Sequence, residues 1–165
     1  MAETPRRVNF FNGMMLTAAD LAAEQEYHRG MRYLHNRLHG YGIVSGLEVT
    51  ATRGRVVVSP GLALDPCGRE IVVAQVLPLS LPLQPRHGSQ GWIRDLVIEW
   101  HESADSPVPS PGDVSNFSRW VEEPQLSLVA RGRGPSEALV LARLSGTTRG
   151  AVTIDTSMRR PLRPA

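Results

Sequence analysis

The stretch Arg7–Val49, RVNFFNGMMLTAADLAAEQEYHRGMRYLHNRLHGYGIVSGLEV, holds the sequence's only long helical pattern and ends by entering a strand. An Asn12-Gly13 turn precedes Thr17, whose hydroxyl suits an N-cap, and Asp20 stands three residues on. That spacing makes a capping box with Asp in the place of Glu or Gln, and it sets negative charge at the positive end of the helix dipole. Leu16 and Leu21 are spaced for a hydrophobic staple. Gly40 follows Arg37-Leu38-His39 and suits the left-handed residue that ends a helix, so the pattern predicts a helix over residues 18–39. At roughly 100° per residue, Tyr27, Met31, Leu34 and Leu38 form one apolar stripe, expected to pack against a sheet or a partner helix. Glu24, His28, His35 and His39 run beside it, and Glu26, Arg29, Tyr33 and Arg37 occupy the opposite face.

The 165 residues suit one domain, and a net charge of +2 spread mostly as arginine argues against a dedicated nucleic-acid surface. Arg159, Arg160 and Arg163 make the only dense basic group, a form common in solvated ends. A single cysteine, Cys67, excludes an internal disulfide and any zinc site drawing two thiolates from one chain. No apolar run reaches the roughly 20 residues of a membrane span, and the first residues lack the apolar centre of a signal peptide. The expected location is therefore the cytoplasm or a particle assembled there.

With 13 prolines and 15 glycines, the rest of the chain reads as short strands and tight turns. Residues 47–59 form a hairpin pattern, and residues 62–73 form a second around Asp65-Pro66-Cys67-Gly68. Residues 77–83 alternate leucine with proline and serine, which fits an edge strand, and a polar turn spans residues 85–91. The strongest strand runs from Trp92 to His101, with Leu96, Ile98 and Trp100 on one face and Val97 and Glu99 on the other. Residues 102–117 read as one long loop rich in Pro, Ser, Asp and Gly. Residues 120–122 and 125–131 then form a strand pair or one interrupted strand, residues 137–144 a buried strand, and residues 151–154 a last one. The expected fold is mainly β (α+β): an N-terminal amphipathic helix followed by a single antiparallel β-sandwich or barrel-like domain. Its expected divisions are residues 1–41, 42–156 and 157–165, the last a basic tail.

Chemistry has few footholds. Gly42-Ile43-Val44-Ser45-Gly46 has the wrong glycine spacing for a nucleophile elbow, and Arg131-Gly132-Arg133-Gly134-Pro135 lacks the Lys-Ser/Thr of a phosphate loop. Glu99 with Glu102, or Glu122 with Glu123, has nothing to hold it across a cleft. Glu24 with His28, and His35 with His39, have the four-residue spacing that lets two side chains share a metal. The two pairs stand about 10 Å apart along the axis, too far for one ion, and only His87, His101 and scattered carboxylates could complete either. A metal-dependent protein is thus one alternative. A carbohydrate-binding module that uses Trp92 and Trp120 beside loops is another. Three histidines on one helix edge would also make that edge pH-sensitive.

The strings Phe10-Phe11-Asn12-Gly13-Met14-Met15-Leu16-Thr17, Leu34-His35-Asn36-Arg37-Leu38-His39-Gly40, Gly42-Ile43-Val44-Ser45-Gly46-Leu47-Glu48-Val49 and Val58-Ser59-Pro60-Gly61-Leu62 resemble those of proteins related to phage tails and contractile injection systems. In such proteins a helix precedes a small β domain of the tail-fibre or baseplate type. The resemblance implies a non-enzymatic structural or adaptor part with no catalytic residues or cofactor. It also implies homo-oligomers, trimeric where fibres are concerned, and other tail or baseplate subunits as partners.

Overall fold

The computed structural model describes residues 4–52, 54–81, 91–109, 116–146 and 151–162. Of the turn expected over residues 85–91, only Gly91 is among them; His87 and Arg163 also fall outside. One helix, α1 (Ala18–Leu38), is followed by β1 (Gly42–Gly46), β2 (Val49–Thr52), β3 (Arg55–Val58), β4 (Gly61–Leu64), β5 (Glu70–Val73) and β6 (Leu77–Ser80). The second half holds β7 (Trp92–Glu99), β8 (Glu102–Val108), β9 (Asn116–Glu122), β10 (Gln125–Ala130), β11 (Leu139–Gly146) and β12 (Val152–Asp155). Every ladder between these strands is antiparallel, in four sheets ordered β1-β4-β5, β2-β3-β6, β10-β7-β11-β12 and β8-β9. The fold is thus mainly β with one N-terminal helix, as the pattern predicts, and none of the described sheets closes into a barrel.

Three of the sheets share one core. Leu47, Val56 and Val58 meet Ile71 and Val73, and both groups meet Leu96, Ile98, Leu141 and Leu144. The two expected hairpins are β2–β3 and β4–β5, and the proline-interrupted β6 is an edge strand, bonded to β3 alone. The passage from β1 to β2 needs unusual backbone: Gly46 and Leu47 have φ of +61° and +58°. Leu47 is wholly buried, so burial of its side chain offsets the cost of about 1–2 kcal/mol for a left-handed residue with a Cβ. Gly46 faces Gly61, and a Cβ on either would run into the other strand's backbone.

Two expectations fail here. The long loop over residues 102–117 is largely a hairpin, β8–β9, in which Glu102 faces Glu122 and Ala104 faces Trp120. Its Pro and Ser content masked the alternation, and Ser106, at φ +58°, falls between the ladder pairs Asp105–Arg119 and Pro107–Phe117, which keep one register. Likewise β9 and β10 do not pair with each other, because β10 lies along β7 and β9 along β8.

The C-terminal segment also departs from a solvated end. Residues 160–162 run beside β1: Ile43 donates to the Arg160 carbonyl at 2.8 Å, and Leu162 donates to the Ile43 carbonyl at 2.8 Å. Arg159 bonds Glu48 at 2.7 Å, and Arg160 lies over the Tyr41 ring at 3.9 Å. The strand edge satisfies the backbone and local partners take both guanidinium groups, which a count of arginines does not reveal.

Candidate interaction surface

Helix α1 begins at the capping box the sequence predicts: the Asp20 amide donates to the Thr17 hydroxyl, and the Thr17 amide donates to the Asp20 carboxylate at 2.9 Å. The Thr17 hydroxyl, donating to the Asp20 carboxylate at 2.6 Å, and then the Thr17 amide hold the Asp20 carboxyl below the usual range. Gly40, at φ +84°, follows the C-cap.

How the helix sits on the sheets is the unexpected feature. Asn36 donates to the Gly68 carbonyl at 2.8 Å and to the Glu70 carboxylate at 2.7 Å, and Arg32 pairs with Glu70 at 3.1 Å. Arg29 reaches Glu102 at the foot of β8, at 2.8 Å. Gly68, at φ +87°, lets the β4–β5 turn approach the Tyr33 carbonyl so closely that a Cβ would collide with it. Burial pushes the Tyr33 hydroxyl pKa up, and Glu122 nearby raises it further. The docking face is therefore polar, built from Arg29, Arg32, Tyr33 and Asn36.

The apolar stripe lies on the far side, centred roughly 180° round the axis from that face. No residue of α1 is buried. Tyr27 is half-buried, whereas Met31, Leu34 and Leu38 are 38%, 45% and 79% exposed. Of the two packing partners expected for this stripe, the sheet is ruled out. The physical reason is that the sheets' apolar faces already cover one another, and what they offer the helix is carboxylates and a turn carbonyl. Leu21, Leu16, Met15, Phe11 and Phe10, each at least half exposed, extend the bare apolar surface into the chain ahead of the helix.

The polar helix edge separates into two pairs. His28 and Glu24 are 2.9 Å apart, and His35 and His39 bring their Nε2 atoms to 3.3 Å with the rings edge to face. Among the described residues no group of three or more His, Cys, Asp or Glu side chains could hold a metal, so neither pair finds a third ligand. The tryptophans proposed to face a sugar stand on different sheets. Trp92 is half-buried against the core with its indole nitrogen enclosed, whereas Trp120 on β9 is 70% exposed. Trp100 packs on the core under the Arg69 guanidinium, at 4.8 Å. Cys67 sits in the β4–β5 turn, where burial first, then Glu137 and Asp65, push its thiol up and away from reactivity.

Sequence reasoning missed Arg29, Arg32 and Asn36 as the docking set, although their spacing of three and four residues is that of a helix face. It missed their partners Glu70 and Glu102 because the carboxylates that receive the helix lie distant in sequence.

No protein-family model matches the chain, and comparison with curated proteins gives no match either. Solved structures do match in fold. A crystal structure of TssK has TM-score 0.56 and 14% identity over 92% of this chain and 41% of the matched one. A chain of the type VI secretion system baseplate complex has TM-score 0.56 and 14% identity over 93% of this chain and 58% of its own. The TssK-TssF-TssG baseplate subcomplex, seen by cryo-electron microscopy, has TM-score 0.57 and 13% identity over 93% and 60%. The chain spans less than two thirds of each of these three structures. Over nearly its whole length, it shares its fold with parts of the baseplate of a contractile injection system.

Proposed function

We propose that the chain is a non-enzymatic structural or adaptor component of a contractile, tail-like particle, joining copies of itself and other baseplate subunits through α1. The observation that carries this reading is the reversed seating of the helix: its polar face is spent on the body, and its apolar stripe is left bare. An exposed apolar stripe on a regular helix marks a protein interface. The likeness in fold to baseplate structures supports the same reading. With helices side by side, Tyr27, Met31, Leu34 and Leu38 would leave water together, in the manner of a bundle seam.

Sedimentation equilibrium over a wide concentration range tests it. The wild-type chain is expected to associate, and a Leu34→Glu/Leu38→Glu variant to remain monomeric with unchanged near-ultraviolet circular dichroism. A wild-type chain that stays solitary at high concentration would overturn the reading.

A further inference from the structure

The hairpin β8–β9 has no buried residue on either strand. Its strands pair only with each other, and Trp120, Phe117 and Val108 are 70%, 50% and 44% exposed. A two-stranded hairpin is marginal in water unless something packs on it. Between this hairpin and α1 lie two adjoining clefts of about 450 and 430 Å3, which share Gln25, Arg29 and Glu122. Trp120 walls one and His28 the other.

The electrostatics of these clefts are unbalanced. Four carboxylates line them, those of Glu24, Glu26, Glu102 and Glu122. Arg29 is taken by Glu26 and Glu102, and Arg32 is turned to Glu70. Glu122 has no ion pair among the described residues, and Glu24 keeps one enclosed oxygen, Oε2, without a hydrogen-bond partner while the other meets His28. Unmatched carboxylate oxygen beside an open indole face suits a cationic, partly aromatic chain.

Such a chain exists in the protein itself. The segment before Thr17 forms no strand or helix, and Arg6 and Arg7 are exposed and unpaired among the described residues. Phe10 and Phe11 follow, 50% and 66% exposed. None of these residues lines its own molecule's clefts. From residue 4 to residue 16 an extended chain reaches about 40 Å, several times the roughly 10 Å width of a helix. The clefts lie along residues 22–32, near the end of α1 where the segment enters. Helices side by side would therefore set one copy's segment level with the next copy's cleft.

We propose that the cleft between α1 and the β8–β9 hairpin receives the N-terminal segment of a second copy, Arg6 and Arg7 meeting its carboxylates and Phe10 or Phe11 its Trp120. The arrangement rests on the self-association proposed above and adds a head-to-tail exchange of segments to it.

Cross-linking tests the exchange. A chain carrying Phe11→Cys and Ala22→Cys, with Cys67→Ser, is oxidised mildly and resolved without reductant. Disulfides between copies are expected, formed at least about tenfold faster than in a control that pairs Phe11→Cys with Thr153→Cys. A second arm uses charge: Glu122→Arg and the pair Arg6→Glu/Arg7→Glu are each expected to weaken association about tenfold, and their combination to restore it. Disulfides formed only within one chain would overturn the proposal by showing that the segment folds back. An intact oligomer with no cross-link and no response to charge would overturn it while sparing the helix interface. A monomer under all conditions would overturn both.

Discussion

Leu141 and Leu38 are leucines in regular elements of one chain, yet the first is wholly buried and the second is 79% exposed. Leu141 belongs to β11, whose inward residues meet side chains from two other sheets. Leu38 belongs to a helix that touches the body through Arg29, Arg32, Tyr33 and Asn36 and points its apolar residues outward. The β core completes its own packing, whereas the helix and hairpin side is built from contacts that leave apolar surface in water. Hydrophobic periodicity is the same signal in both regions. It tells which residues seek cover, and it does not tell whether the cover lies within the chain.

The contrast can be broken most forcefully in the core. Leu141→Ala should cost about 2–5 kcal/mol, the range for truncating a buried leucine where the surroundings relax little. Urea unfolding measures it, and a cost below about 1 kcal/mol would show that the core is not the stable half. Asp95 comes next. It is 1% exposed and accepts from Arg143 at 2.8 Å and from the Gly132 amide at 2.8 Å. The Arg143 bond, with help from Gly132, holds its carboxyl below the usual range. A folded-state pKa below the unfolded value adds stability that is present above the unfolded value of about 3.9 and is lost as pH falls through the folded one. Asp95→Ala should cost about 2–3 kcal/mol near neutrality, less than for a fully enclosed pair because Arg143 retains 19% exposure. It should also flatten the acid limb of the stability curve, and an unchanged limb would sink that assignment.

How far the sequence disclosed this molecule follows the same division. Local chemistry declared itself: Thr17 and Asp20 form the cap, Asp65 to Gly68 the turn, and Pro78 of β6 the edge. Alternation placed Leu96 and Ile98 inward, but it set Val97 on the other face, and Val97 is buried as well. The covering chain, at Val129 and Gly134, is far off in sequence. The orientation of α1 was hidden for a related reason. The choice between its faces depended on which groups the β4–β5 turn and the foot of β8 would present, and Glu102 stood in what read as a loop. A helix pattern fixes two faces; only the receiving surface selects between them.

Gly68 is where that selection can be sharpened. Gly68→Ala forces a side chain onto a left-handed residue, which costs about 1–2 kcal/mol, and drives its Cβ into the Tyr33 carbonyl. Its effect should concentrate on α1. Hydrogen exchange is expected to quicken in the helix amides and to change little in β7 and β11. Uniform quickening across the sheets would mean that the helix and the core form a single cooperative unit.

Leu38→Ala has the smallest expected effect and sets the comparison most directly. At a concentration where the chain is monomeric, removing a side chain that is 79% exposed should change unfolding free energy by no more than about 0.5 kcal/mol, because little apolar area leaves contact. The same change at a concentration where copies associate should lower the apparent stability, since a partner that binds only the folded chain adds to it by mass action. Leu141→Ala should show no such dependence on concentration beyond its intrinsic cost. A Leu38→Ala penalty that is equally large in dilute and concentrated protein would place its cover inside the chain, and the stripe would then lose its standing as an interface.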